Sequence, residues 1–151
     1  MSDTCENDLT ITGAQEALGR LSAWVKSQSH EQAPSEHWAA LYNLEQEAKE
    51  LPNFDGVYEG SPNHANGIAV YKEFTNDSGL TRILLNFPSR SDPCLCIIQV
   101  LAQRFPELSF SFGFTNYDSG DSGEALFEDG KLKHLELEEA EWSGGSEDSD
   151  W

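Results

Sequence analysis

Alternating large apolar and small polar residues from Leu108 to Thr115 constrain the fold more strongly than any other part of this sequence. Successive side chains of a β-strand point to opposite faces, so Phe110, Phe112 and Phe114 share one face of a strand. The residues between them are serine, glycine and threonine. We therefore expect a strand whose aromatic face lies in the core, while its other face is lined by small polar groups.

Turn-forming residues divide the other β-rich parts of the chain into hairpins. Asp129-Gly130 is typical of a two-residue hairpin turn, and the Asn-Asp-Ser-Gly segment at 76–79 has a similar composition. The strands predicted beside these turns are residues 68–74, 81–87, 125–128 and 131–137, with shorter strands near Leu9 and Ile11 and near Val57 and Tyr58.

Helix start signals precede three segments with helical apolar spacing. Thr12 and Gln15 have the spacing of a capping box, which predicts a helix that runs to residue 26. Ser35 predicts the cap of a second helix, which reaches residue 51. Asp92 before Pro93 predicts the start of a third helix, because the carboxylate accepts free amide hydrogens and proline lacks one. The third helix is apolar on more than one side, so we expect it to be covered on more than one side.

These elements predict one domain of the α+β class, with an antiparallel sheet and helices packed on one face of it. The domain is expected to cover residues 1–137, since 151 residues is a typical length for a single domain. Residues 138–151 contain few apolar side chains and predict an acidic, flexible tail.

Acidic residues are concentrated towards the carboxyl end of the chain. Residues 118–151 contain twelve Asp or Glu and two Lys, which accounts for ten of the eighteen net negative charges. This segregation favours a cationic partner, because it gathers potential of one sign on part of the surface. The side chains that we expect to contact this partner are Asp118, Asp121, Glu136, Glu138, Glu139, Glu141, Trp142, Glu147, Asp148, Asp150 and Trp151. The two indole rings are predicted to act as anchors.

The average charge density is too low for the whole surface to imitate DNA. A globule of 16.8 kDa exposes about 7,600 Å², which gives about one net charge per 420 Å². Duplex DNA carries about one charge per 110 Å², from one charge per ~1.7 Å along a cylinder about 20 Å across. DNA mimicry therefore requires that the acids gather on one face.

The sequence contains no recognisable motif for catalysis, a metal or a cofactor. His30, His37, His64 and His134 lie in different predicted elements, without the spacing that places two imidazoles on one metal. Three cysteines predict reduced and mostly buried thiols. We therefore predict no enzymatic activity, no metal site and no cofactor. The sequence also lacks a secretory signal and an apolar run of ~20 residues, so we expect a cytoplasmic protein without a membrane span.

Two segments carry a resemblance to a known family. The first, Cys5-Glu6-Asn7-Asp8-Leu9-Thr10-Ile11-Thr12-Gly13, resembles the amino-terminal pattern Trp-Cys-x-Asn-x-Leu-x-Ile-x-Gly of the YubB-like ferredoxin-like proteins of plasmids and phages, with Thr4 in place of the Trp. The second segment, 93–114, resembles their Pro-led helix that ends in Phe-Pro, here Phe105-Pro106, before an aromatic strand. The resemblance implies a ferredoxin-like α+β fold and a setting in mobile genetic elements. It implies no activity and no catalytic residues.

Our main hypothesis is a mobile-element-encoded inhibitor that binds the basic, nucleic-acid-binding surface of a host defence complex or nuclease. Such an inhibitor would be anti-CRISPR, anti-restriction or immunity-like, with carboxylates that occupy the Lys and Arg that otherwise grip phosphates. Direct binding to nucleic acid is disfavoured by the net charge of −18, and we expect a monomer or a small homo-oligomer.

Two alternatives remain open at this stage. The first is a small enzyme or ligand-binding domain with a polar pocket near Asn63, His64, Asp118 and Asp121. The second is a structural or chaperone-like role in a phage particle.

Overall fold

The structure, a computed structural model, describes residues 4–54 and 57–139. The described residues form seven strands and three helices, with a short 3₁₀ turn, His64–Asn66, after the second strand. The elements are β1 (Thr4–Thr12), α1 (Gln15–Lys26), α2 (Glu36–Ala48), β2 (Ser61–Pro62), β3 (Val70–Asn76), β4 (Gly79–Arg90), α3 (Leu95–Arg104), β5 (Ser109–Asn116), β6 (Ser122–Glu128) and β7 (Lys131–Glu138).

The seven strands form a single antiparallel sheet in the order β2-β4-β1-β5-β6-β7. β3 also pairs with β4, so β2 and β3 follow each other along the same edge of that strand. β1 lies in the centre, between β4 and β5, although both neighbours come much later in the chain. The predicted α+β class is confirmed.

One face of this sheet forms the core. Leu9 and Ile11 of β1 and the three phenylalanines Phe110, Phe112 and Phe114 of β5 are buried, as the alternation predicts. α1 packs against β4, while α3 contacts β5, β6 and β7 on one side and α2 on the other. α3 is therefore buried along most of its length, which confirms that it is covered on more than one side.

The turns and one helix cap confirm their sequence-based predictions. Asp129 and Gly130 have φ values of 56° and 79°, as a two-residue hairpin turn with two left-handed residues requires. Asn76 pairs directly with Gly79 across the β3–β4 turn. The Ser35 hydroxyl accepts a hydrogen bond from the Trp38 amide at the start of α2.

Three local predictions are wrong. Thr12 is the last residue of β1, and α1 begins after Ala14 without a side-chain cap. Asp92 does not cap α3, which begins only at Leu95. The short strand expected near Val57 and Tyr58 lies at Ser61–Pro62 instead.

Tertiary hydrogen bonds explain the late start of α3. The Ser89 hydroxyl donates to the Asp92 carbonyl at 2.6 Å, and the Gly60 amide donates to the Pro93 carbonyl at 2.9 Å. These bonds hold the chain before α3 against β4 and the loop before β2, so its carbonyls do not begin the helical ladder.

A buried asparagine joins β1 to β4 and to α3. Asn7 is fully buried, and its Nδ2 donates to the Phe87 carbonyl at 3.1 Å and to Ser89 Oγ at 2.9 Å. Its Oδ1 accepts the Cys94 amide at 3.1 Å. Because a buried amide is costly unless its groups are hydrogen-bonded, this network stabilises one arrangement of the three elements.

Candidate protein-binding surface

The sheet face opposite the helices carries two rows of carboxylates. Strand register places Asp8, Gly113, Glu124 and Glu136 at directly paired positions of β1, β5, β6 and β7. Paired residues of neighbouring strands point to the same face, so the three acids lie in one row across the sheet. Gly113 adds no side chain between Asp8 and Glu124, which leaves a shallow concavity there.

The second row lies two residues further along the strands. Glu6, Thr115, Ser122 and Glu138 are paired in the same way. We call the five carboxylates of the two rows the acidic sheet face: Glu6, Asp8, Glu124, Glu136 and Glu138.

Register places Arg82 and Arg90 of β4 on the same side of the sheet as this face, opposite Thr12 and Thr4. None of its five carboxylates forms an ion pair with Lys or Arg in the part of the chain that the structure describes. The Oε2 atom of Glu136 lies 3.6 Å from the Nε2 atom of His134. The amide nitrogen of Asn86, in the orientation that satisfies its hydrogen bonds, donates to Asp8 at 3.2 Å. The acidic sheet face therefore retains its capacity to bind a cation.

Partial burial already perturbs two of these carboxyl groups. Burial raises the pKa of Asp8, and burial together with the negative charge of Asp8 raises the pKa of Glu6. Both shifts reflect a charged form that lacks sufficient solvation or counter-charge. A lysine or arginine placed over the face would favour the charged forms of both groups.

The structure places five of the expected contact residues. Glu136 and Glu138 belong to the acidic sheet face, and Glu139 follows β7. Asp118 and Asp121 lie in the β5–β6 loop, where Asp118 accepts the Thr4 amide at 3.2 Å. The other expected contacts, which are Glu141, Trp142, Glu147, Asp148, Asp150 and Trp151, and the predicted flexible tail from residue 140 onwards, lie outside the described residues.

Sequence reasoning missed Glu6, Asp8 and Glu124 as members of the site. Glu6 and Asp8 alternate with buried residues in β1, which was a signal for an outward face. Glu6 and Asp8 lie far in sequence from the acid-rich carboxyl end. The sequence did not group them with the other acids, because only the pairing of β1 with β5 brings them next to β6 and β7.

The residues of the alternative polar pocket bond to different elements. Asn63 caps the 3₁₀ turn through a bond from the Ala65 amide, and His64 forms a hydrogen bond with the Tyr42 hydroxyl of α2. Asp121 lines a cleft at the end of β7 instead. A small enzyme or ligand-binding domain therefore remains a hypothesis, and the described contacts show no shared catalytic geometry among these four side chains.

A partly buried glutamate, Glu59, supplies the cap that Asp92 does not provide. Glu59 Oε1 accepts the Cys96 amide at 2.7 Å, and Oε2 accepts the Ile97 amide at 3.2 Å, both in the first turn of α3. Burial raises the pKa of Glu59 to about 7 in spite of these hydrogen bonds, which act in the opposite direction. The amino terminus of α3 favours the charged form of the Glu59 carboxyl group, and the removal of solvating water on burial disfavours it.

Further described features bear on other kinds of site. Cys5, Cys94 and Cys96 are buried thiols, as predicted, and none of the three belongs to a disulfide. Residues 4–54 and 57–139 contain no group of three or more metal-ligating side chains that could hold an ion. None of the helices in these residues has both the length and the apolar character needed to cross a bilayer.

Comparison with known proteins shows similarity of fold. No family model matches the sequence, and no curated protein matches it. A crystal structure of the protein api92 from Yersinia pseudotuberculosis, assigned there to the family DUF1281, is similar with a TM-score of 0.55 and 10% sequence identity. The similarity covers 93% of this chain and 99% of api92. At this identity the comparison establishes a shared fold and carries no function.

Proposed function

We propose that this protein is a non-enzymatic inhibitor whose acidic sheet face occupies a basic, nucleic-acid-binding surface of another protein. The single observation that carries the proposal is the register that joins acids of β1, β6 and β7 on a face without a paired Lys or Arg among the described residues. A host defence complex or nuclease is the class of target, as for anti-CRISPR, anti-restriction or immunity proteins.

Local charge density supports mimicry of DNA. The two rows contain eight strand positions, and each position occupies about 4.8 Å by about 6.8 Å of the sheet, which gives an area of about 260 Å². Five carboxylates on this area give about one charge per 50 Å², against about one per 110 Å² for duplex DNA. The gathering of acids that the average surface lacks is thus present on one face of the sheet.

The same charge disfavours direct contact with nucleic acid. The aromatic residues of β5, which on an open sheet would offer a base-stacking platform, are buried beneath the helices, and the acidic sheet face repels phosphates. Binding to a protein that itself holds nucleic acid is the arrangement that the charge favours.

The experiment compares two variants of equal charge. Glu124→Gln with Glu136→Gln neutralises the centre of the acidic sheet face, while Glu31→Gln with Glu50→Gln removes two exposed charges outside it. Each purified protein is immobilised, and proteins retained from a cell lysate at about 50 mM and about 200 mM salt are quantified by mass spectrometry. A recovered partner is then assayed for nucleic-acid binding with and without the inhibitor.

We expect a basic partner that wild type and the Glu31/Glu50 variant retain at low salt and lose at high salt. The Glu124/Glu136 variant should fail to retain this partner at either salt concentration. The wild-type protein should displace nucleic acid from the partner. Equal retention by both variants, or a complex that still binds nucleic acid, would refute the proposal. A small-molecule site would tolerate both the salt and the neutralisation.

The finer assignments belong to the same proposal. We infer a distant relationship to the YubB-like ferredoxin-like proteins, and its support is that the two resembling segments form β1 and α3–β5 and meet where Leu9 pairs with Phe112. The proposed role against a host complex implies a cytoplasmic protein that acts as a monomer or small homo-oligomer.

A further inference from the structure

A cleft lies at the end of β7, beside the acidic sheet face. It has a volume of about 240 Å³ and is bounded by the loop at Val57 and Tyr58, by residues 91–93 and by the end of β7. Tyr58 and Leu137 are strongly exposed for apolar side chains, at 76% and 46% of their surface, and both line the cleft. Exposed apolar groups that share a concavity are typical of an interaction site.

All of the charge that lines this cleft is negative. Four carboxylates contribute to it, and its lining contains no Lys or Arg. Burial raises the pKa of Asp92, whose carboxylate has no hydrogen-bond or ion-pair partner among the described residues. Glu138 belongs both to the cleft and to the acidic sheet face, so the two surfaces are continuous.

We propose that this cleft receives an arginine side chain of the basic partner, an inference that rests on the proposed function and names its anchor. A guanidinium group is planar and weakly hydrated, stacks on aromatic rings and pairs with carboxylates through two parallel hydrogen bonds. The cleft offers an aromatic ring and carboxylates, because the exposed Tyr58 ring lines it together with Asp121 and Glu138. A lysine ammonium uses the charge but gains less from the flat ring.

Charge complementarity decides between the possible occupants. A second copy of this chain carries a net charge of −18, and the chain's own residues 140–151 carry four acids and no Lys or Arg. Either occupant would add negative charge to a cleft that already lacks a cation. A basic segment of another protein is the occupant that neutralises it.

The experiment measures binding of two labelled peptides, hexa-arginine and hexa-lysine, to the full-length protein by fluorescence anisotropy at low salt. The two peptides carry equal charge, so the ratio of their dissociation constants isolates the contribution of the guanidinium group. Tyr58→Ala removes the ring, and Tyr58→Phe retains it. Tyr117→Ala is the matched control, because Tyr117 is 70% exposed and does not line the cleft.

Wild type, Tyr58→Phe and Tyr117→Ala should prefer hexa-arginine. Tyr58→Ala should reduce this preference by about threefold, which corresponds to the usual free energy of an exposed cation–π contact. Its affinity for hexa-lysine should stay within about twofold of the wild-type affinity. An unchanged preference in Tyr58→Ala would overturn the assignment.

The remaining outcomes separate this inference from the proposed function. If both peptides bind equally to wild type and the Glu124→Gln, Glu136→Gln variant weakens both, the acidic sheet face stands and the arginine anchor fails. If neither peptide binds wild type, both proposals fail. Tighter hexa-arginine binding by Trp142→Ala would assign the cleft to the chain's own carboxyl end, and a dimer that Tyr58→Ala dissociates would assign it to a second copy. Either result would overturn the anchor.

Discussion

Glu59 makes the stability of this protein dependent on pH near neutrality, and replacement by glutamine tests this directly. The carboxylate holds the first turn of α3 through the amides of Cys96 and Ile97. Glutamine keeps the size of the side chain and one acceptor, but it does not titrate. The Glu59→Gln variant therefore isolates the contribution of the ionisation from that of packing.

The magnitude follows from the two pKa values of the carboxyl group. Its pKa is raised from 4.5 to about 7 on folding. A difference of about 2.5 corresponds to about 3 kcal/mol of unfolding free energy. Between these values the folded state binds more protons than the unfolded state, so the contribution is fully present below about pH 4.5 and is lost as the pH rises through about 7.

Urea denaturation at a series of pH values from about 4 to about 8 measures this effect. The unfolding free energy of wild type, relative to Glu59→Gln, should fall by about 3 kcal/mol across the range, because all other titrating groups are common to both proteins. Glu50→Gln, at an exposed position after α2, is the control and should parallel wild type. If the unfolding free energy of wild type minus that of Glu59→Gln stays constant or grows as the pH rises, the account of Glu59 is refuted.

Three further outcomes test other parts of the structure. Asn7→Ala should lower the unfolding free energy by about 3 kcal/mol or more, because it leaves several buried groups unpaired, and a loss below about 1 kcal/mol in urea denaturation would contradict the network. Gly60→Ala should destabilise the protein in thermal denaturation, since its Cβ would lie 1.7 Å from a carbonyl oxygen, whereas Gly19→Ala in α1 meets nothing within 4 Å and should stabilise it by about 0.5–1 kcal/mol. Cys94 and Cys96 should resist alkylation by iodoacetamide at about pH 8 until urea unfolds the protein. The reason is that burial raises the pKa of both thiols, and raises the pKa of Cys96 to about 12. Rapid alkylation of the folded protein would disprove this.

Local signals in the sequence were sufficient for much of the secondary structure. The aromatic alternation of β5, the turn at Asp129 and Gly130, and the cap of α2 by Ser35 all depend on residues within a few positions of one another. Sheet periodicity, left-handed turn conformations and helix caps are short-range effects, so a sequence displays them without knowledge of the fold.

The same local reasoning failed where a distant residue competed for a role. Asp92 has the chemistry of a helix cap, but hydrogen bonds from Ser89 and Gly60 hold this part of the chain in another conformation. Glu59 then supplies the cap from far upstream in the sequence. A propensity states what a residue can do, and tertiary contacts select which residue does it.

By itself, then, the sequence determined the α+β class, the buried aromatic face and the overall excess of negative charge. Only the tertiary structure decided that Glu6 and Asp8 join Glu124 and Glu136 on one surface, because β1 pairs with strands that follow it by about seventy residues or more. Strand order and register depend on the packing of the whole core. The physical reason is that side-chain alternation assigns a residue to a face, whereas its neighbours on that face are chosen by non-local hydrogen bonding between strands.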